Sequence, residues 1–232
     1  ALSSAASDVY KRQVQAHTIY PMLCWYEDTE NDRLVVGQYI NSEYKRSENV
    51  TVTQNVDMKY YNDGASFDEH DNSRMSRWYL KLNVNAKAPE KFTLSLRVPG
   101  WTVGEPEVCI NGEKFDGKAE NGYISIERTW ENDTINLHFP TALTMSSLPD
   151  MPQLTAFSEG PIVLAGLCSS DKGITMENDD PESALAYTIE HTYSTFPWQQ
   201  SVYRTVNQPE NFYLVPLYDV TDEPYTVYFT KR

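Results

Sequence analysis

From Lys91 to Arg97 apolar and polar residues alternate, with Phe92, Leu94 and Leu96 set against Lys91, Thr93, Ser95 and Arg97. A period of two puts each set on its own face of an extended chain, so this stretch predicts a half-buried strand that runs on to Val98. Pro99-Gly100 ends it, since proline donates nothing to a ladder and glycine permits a sharp turn. Val108-Cys109-Ile110 then leads into Asn111-Gly112. Asn-Gly adopts positive φ at little cost, so a hairpin is predicted there. The alternation returns over residues 122–128 and 134–139, with Asn132-Asp133 predicting a turn between them. Four such segments separated by turns argue for an antiparallel sheet.

The same reading extends in both directions. Strands are predicted at residues 34–42, 50–60 and 78–84, with a long polar loop at 62–74 and a connecting turn at Lys87-Ala88-Pro89-Glu90. Pro140 closes the last strand of the first group, and residues 142–145 continue as a short extended piece. Pro149 and Pro152 mark a boundary. Residues 155–167 form an apolar run interrupted by Gly160-Pro161, and residues 169–186 read as an acidic surface loop with one helical turn at 182–186. Further strands are predicted at 187–190, 201–206, 212–217 and 225–229. Near the start, Ile19, Met22, Leu23 and Tyr26 have helical spacing, so residues 14–28 are expected to be the remnant of a preceding helical domain. Residues 1–13 begin without Met, differ in character from the rest of the chain, and read as adapter or vector sequence outside the fold. The expected architecture is all-β: antiparallel β-sandwiches in two packed units, residues 29–148 and 149–232, after a short helical N-terminal remnant.

Composition narrows the functional classes. The chain has 232 residues, enough for a real core, with 16 Tyr, 8 Phe and 5 Trp, and more Pro than Gly. The net charge of −14 repels a nucleic-acid backbone or an anionic membrane surface, so neither is an expected partner, whereas a neutral glycan is allowed. No apolar run reaches the ~20 residues of a membrane span. Cys24, Cys109 and Cys168 form no C-x-x-C or Cys-Cys pair, so no thiolate zinc site is expected, and all three read as small buried apolar residues.

The chemistry-bearing residues are scattered. Asp68, Glu69, His70 and Asp71 cluster in one polar loop, and Asp179, Asp180 and Glu182 in another. Paired carboxylates serve glycosidases and hard oxygen ligands hold calcium, but neither cluster has the spaced Asp pattern of a calcium loop, and both read as solvated. His17, His70, His138 and His191 have no ligand spacing, and His138 alternates with Leu137 and Phe139 so as to face outward. Trp25, Trp78, Trp101, Trp130 and Trp198 could stack on sugar rings, although packing is their commoner use, and Trp101 and Trp130 end strands as corner residues would. Asn49-Val-Thr51 and Asn132-Asp-Thr134 are formal glycosylation sequons that carry no weight without a secretory context. No catalytic, cofactor-binding or metal residue is therefore assigned.

The ordered set KFTLSLRVPGW (91–101), VCINGE (108–113), GYISIERTW (122–130) and INLHFP (135–140) resembles the segments that follow the catalytic barrel in glycoside hydrolase family 127, the β-L-arabinofuranosidase-like proteins. GPIVLA (160–165), LVVGQYINS (34–42), FYLVPLY (212–218) and YTVYF (225–229) are similar to further segments of that family, so the resemblance spans about residues 34 to 229. It implies a bacterial glycan-degrading parent, periplasmic or secreted. That parent would carry an upstream (α/α)6 barrel with a cysteine nucleophile in a zinc site, followed by β-sandwich domains, and would act on plant-type polysaccharide or oligosaccharide. The family's adjacent Cys-Cys pair has no counterpart here: Cys24 stands alone, and Cys109 and Cys168 match nothing in the zinc motif. The implied role is a non-catalytic C-terminal portion, without cofactor, that packs against its own barrel. The other roles open to such a chain are a carbohydrate-binding module and a self-standing adhesion domain.

Overall fold

A computed structural model describes residues 18–57, 77–169, 172–187 and 203–232. Strands dominate, and the only helical elements named among the described residues are single 3-10 turns at Tyr20–Leu23, Pro181–Ser183 and Leu217–Asp219. The chain divides into two compact units. Of the described residues, the first holds 18–57, 78–100 and 104–139, and the second 77, 101–103, 140–169, 172–187 and 203–232.

In the first unit one sheet has the order β1 (Trp25–Asp28), β2 (Arg33–Val36), β5 (Arg77–Arg97), β8 (Tyr123–Pro140), β6 (Glu107–Ile110) and β7 (Glu113–Phe115). A branch joins β3 (Ser42–Lys45) to β4 (Val50–Asp57) and β4 to β5. Residues 25–28, expected in a helical remnant, are strand β1, paired antiparallel with β2. Residues 34–42, expected as one strand, break after Val36 and resume as β3.

The predicted turn at residues 87–90 is absent. β5 runs for 21 residues straight through Pro89. Pro89 lies in a gap between two pairings on one edge of β5: pairing with β4 runs from Tyr79 to Ala86, and parallel pairing with β2 begins at Thr93. Asn49 bridges that gap with its side chain. Its Oδ1 accepts from the Ala88 amide at 2.8 Å and its Nδ2 donates to the Ala88 carbonyl at 2.9 Å, as a neighbouring strand would. The face parity of β5 holds from Leu80 to Leu96, with Leu80, Leu82, Val84, Phe92, Leu94 and Leu96 all buried.

The turn expected at Asn132-Asp133 is absent too, since β8 is one strand of 18 residues. Its buried positions are Ile124, Ile126 and Trp130 before this point and Asp133, Ile135, Leu137 and Phe139 after it. Even positions give way to odd ones, so one extra residue is inserted, which is the signature of a bulge. Buried Asp133 satisfies the disturbed backbone. Its carboxylate accepts from the Glu131 amide at 2.8 Å and from Nδ2 of Asn111 at 2.7 Å. Asn111 and Gly112 have φ of 53° and 85°, forming the two-residue turn between β6 and β7 that the Asn-Gly pair predicts.

The second unit is another mixed sheet. Its order is β12 (Gly173–Ile174), β16 (Phe229–Lys231), β10 (Leu154–Glu159), β11 (Ile162–Gly166), β15 (Tyr213–Pro216), β14 (Tyr203–Thr205) and β13 (Leu185–Tyr187), with β9 (Leu143–Ser147) on β10. Gly160-Pro161 forms the turn of the β10–β11 hairpin. The core is aromatic: Phe229 stacks on Phe212 at 5.8 Å and tilts against Phe157 at 5.6 Å. Gly166 lies beneath this stack, and a Cβ there would meet the Phe229 ring at 2.6 Å. Residues 172–186, expected as part of a surface loop, are anchored into this unit. Ile174, Ala184 and Leu185 are buried, and Gln208 bonds both the amide and the carbonyl of Thr175. The sheets are therefore mixed and not wholly antiparallel, with β2–β5 and β12–β16 running parallel.

Candidate functional site

Among the described residues, those singled out by sequence do not converge. Asp180 caps the 3-10 turn Pro181–Ser183, its Oδ1 accepting from the Glu182 amide at 3.0 Å, and Asp179 pairs with Lys231 at 3.2 Å. That cluster is turn chemistry. Asp68, Glu69, His70, Asp71, His17, His191 and Trp198 lie outside the described residues, as does the side chain of Trp78. His138 is half-buried on β8, 3.4 Å from the carboxylate of Glu107. Trp130 is fully buried, whereas Trp25 stacks on Tyr44 at 5.7 Å and donates to Ser42 Oγ at 3.1 Å. Asn49, the first sequon residue, is committed to Ala88 and Glu90.

Among the described residues no three His, Cys, Asp or Glu side chains come together as metal ligands would. Cys24 is buried, its Sγ lies 3.6 Å from the Tyr20 carbonyl, and burial pushes its thiol pKa up, away from the reactive thiolate. Burial also raises Asp219, and burial together with Asp219 and Glu159 raises Tyr218. These two acids belong to unit 2 and carry no motif by which sequence could have paired them.

Two assemblies in the first unit were not foreseen. The first is a charge node. The Arg46 side chain is only 9% exposed, and its guanidinium meets Glu27 at 2.9 Å, Glu90 at 2.6 Å and Asp32, with its plane over Phe92 at 4.3 Å. Tyr44 donates to Glu27 at 3.1 Å and Asn49 to Glu90 at 2.7 Å. Five donors in a planar fork can serve three carboxylates at once, which lysine could not do. Glu27 and Asp32 share the β1–β2 hairpin, but Arg46 and Glu90 come from other segments, so no local signal announces the node.

The second is an apolar surface on a stiff frame. Ile19, Tyr20, Met22, Tyr26 and Ile40 are exposed, Met22 to 71%. The segment that carries most of them is held by Pro21 at the start of its 3-10 turn, by the Cys24 amide bonding back to the Pro21 carbonyl, and by Gly37 donating to the Cys24 carbonyl at 2.8 Å. Tyr26 lies against Gly37, where a Cβ would fall 2.6 Å from its ring and 2.7 Å from the Leu23 carbonyl. The loop bearing Ile40 is tied as firmly. Arg97 donates to the Gly37 carbonyl at 3.1 Å, Gln54 to the Gln38 carbonyl at 3.0 Å, and Val56 to Asn41 Oδ1 at 2.6 Å. The Tyr39 hydroxyl donates to the Arg97 carbonyl at 2.6 Å, and burial pushes its pKa far above the ordinary tyrosine range. Individually these are exposed apolar side chains on a hydrogen-bonded frame, of the kind that contact with another domain would cover.

Residues 33–141 match the family model described as the β-L-arabinofuranosidase GH127 middle domain. No curated protein matches by sequence. Among solved structures, a GH127 β-L-arabinofuranosidase from Geobacillus stearothermophilus T6 superposes with a TM-score of 0.62 at 20% identity, over 90% of this chain and 35% of its own. A second GH127 β-arabinofuranosidase gives 0.59 at 16% identity, over 88% of this chain and 36% of its own, and a glycoside hydrolase gives 0.54 at 15% identity, over 85% and 36%. The chain thus spans about a third of the length of these structures. Segment 33–141 belongs to the middle-domain family of the GH127 β-L-arabinofuranosidases.

Proposed function

We propose that this chain is the non-catalytic β-sandwich portion of a glycoside hydrolase acting on terminal arabinofuranoside-type sugars, and that its first unit docks a catalytic domain preceding it in the parent protein. The observation that carries this reading is the rigid apolar surface of Ile19, Tyr20, Met22, Tyr26 and Ile40, four of whose residues lie immediately before the middle-domain match. A domain arriving from upstream meets these residues first. Burying them removes apolar surface from water at roughly 25 cal/mol per Å², while the tied loops have little conformational entropy left to lose. Zinc and the sugar contacts would belong to the upstream domain.

The test compares this chain with the full-length parent on an aryl β-L-arabinofuranoside. The parent is expected to hydrolyse it and the 232-residue chain is not. Turnover by the chain alone that disappears on mutation within it would overturn the reading. So would a parent whose activity, assembly and protease resistance are unchanged when both Met22 and Tyr26 are replaced by Asp.

A further inference from the structure

We propose that Asn121 is a site of spontaneous backbone modification in the folded chain, its side-chain amide giving way to aspartate and isoaspartate, and that Asn111 is a matched site which the fold protects. The chain has two Asn-Gly pairs, Asn111-Gly112 and Asn121-Gly122. Both form two-residue turns in the first unit, one between β6 and β7, the other between Glu120 and Tyr123. Their backbones are alike: φ is 53° and 85° in the first pair, 51° and 80° in the second. All four residues are exposed.

Glycine sets no side chain in front of its own amide, so its nitrogen can approach the side chain of the preceding asparagine. The Gly122 amide gives its proton to hydroxide, and its nitrogen attacks Cγ of Asn121. A C–N bond forms, and the side-chain nitrogen leaves as ammonia, taking a proton from water. One water then opens the five-membered imide at either carbonyl, which gives aspartate or isoaspartate. The balance is one water in and one ammonia out, with nothing oxidised or reduced.

What separates the two pairs is the asparagine side chain. Asn111 is held at both ends: its Nδ2 donates to Oδ1 of Asp133 at 2.7 Å, and its Oδ1 accepts from the Thr134 amide at 2.9 Å. Its Cγ reaches the Gly112 nitrogen only after these bonds break, and one of them is to a charged acceptor. Asn121 has no such tether, since its side chain bonds none of the described residues. The consequence falls on the start of β8. Glu120 and Tyr123 exchange bonds of 2.8 and 3.0 Å around Asn121-Gly122, and the Gly122 carbonyl accepts from the Val98 amide at 2.7 Å. Isoaspartate inserts an extra main-chain atom inside that turn, and both products add negative charge. The inference rests on neither the docking surface nor the activity of the parent.

The test holds the whole chain in mildly alkaline buffer, folded and in urea, and follows its tryptic peptides by mass spectrometry over time. Residues 98–114 and 119–128 come out as separate peptides, each with a single Asn. In the folded chain the 119–128 peptide should be converted, to aspartate and isoaspartate forms that chromatography separates. It should convert at least about tenfold faster than the 98–114 peptide, the effect of one hydrogen bond to a charged group. In urea the two should convert at similar rates. Asn121→Gln should abolish conversion of 119–128. Asp133→Ala, where a thermal melt shows it folded, should speed conversion of 98–114 and leave 119–128 unchanged. Equal rates in the folded chain would overturn the proposal. So would a folded chain that leaves 119–128 intact while the urea sample converts, or a difference between the peptides that persists in urea. These three outcomes come from the unaltered chain and decide the matter even if Asp133→Ala does not fold. A folded Asp133→Ala whose 98–114 peptide converts no faster would overturn it as well.

Discussion

Trp130 donates its indole N–H to the carbonyl of Phe92 at 3.0 Å, across 38 residues of chain. The two rings also tilt together at 5.6 Å, both fully buried. β5 and β8 are thus joined at this point by a backbone carbonyl and by ring packing at once. Ser95 and Ser125, whose hydroxyls meet at 2.9 Å, hold the same two strands further along.

Trp130→Ala should remove about 3–5 kcal/mol of unfolding free energy, as large core aromatics do. Trp130→Phe keeps much of the packing but orphans the Phe92 carbonyl, and should cost about 1–3 kcal/mol. Urea denaturation measures both. No loss in Trp130→Phe would mean that the indole N–H adds nothing.

Asp133 should behave as the keystone of the β8 bulge. Asp133→Ala leaves the Glu131 amide and the Asn111 side chain unsatisfied and takes a partner from Arg128, 3.2 Å away. Breaking a buried charged network of this kind costs about 3–5 kcal/mol. Gly112→Ala, at a φ of 85°, should cost only about 1–2 kcal/mol. The ranking of these two variants in thermal melts is the check.

Arg46→Met should destabilise the first unit and make it salt-sensitive. Without the guanidinium, Glu27, Asp32 and Glu90 are left as neighbouring negative charges. Added salt screens that repulsion, so the deficit of the variant should shrink between low salt and ~1 M salt. A deficit unaffected by salt would assign the loss to the Phe92 contact instead.

Tyr39 sets an alkaline limit. Burial raises its folded pKa above the ordinary value of 10.0, so above that pH the unfolded chain loses a proton that the folded chain keeps. Stability is therefore full below about pH 10 and falls as pH rises beyond it, by about 1.4 kcal/mol per pH unit for one group. Tyr39→Phe should flatten that decline while lowering stability at neutral pH, where it loses the bond to Arg97. Melts from about pH 8 to about pH 11.5 on both proteins test the sign.

Cys24 should resist thiol reagents in the folded chain and react once it is unfolded, since it is buried and burial holds its thiol protonated. Timed labelling with mass spectrometry reads it directly. Fast labelling of Cys24 in the native state would show that the segment at residues 20–24 opens.

Local alternation by itself determined that Phe92, Leu94, Leu96, Ile124, Ile126, Ile135 and Leu137 face a core, because side-chain direction in a strand is a property of the nearest neighbours. Asn111-Gly112 likewise announced its hairpin, because positive φ is a local cost. Pro89 and Asn132-Asp133 misled for a related reason. Each is a breaker when read alone, and whether it breaks depends on groups far away: the ladder gap filled by Asn49, and the bulge held by Asn111. Only tertiary structure decided which strands became neighbours. It set β2 parallel to β5 and gathered Arg46 with three acids from other segments. Strand order is chosen by the joint burial of many residues and the pairing of every buried polar group, and neither is visible in a window of the chain.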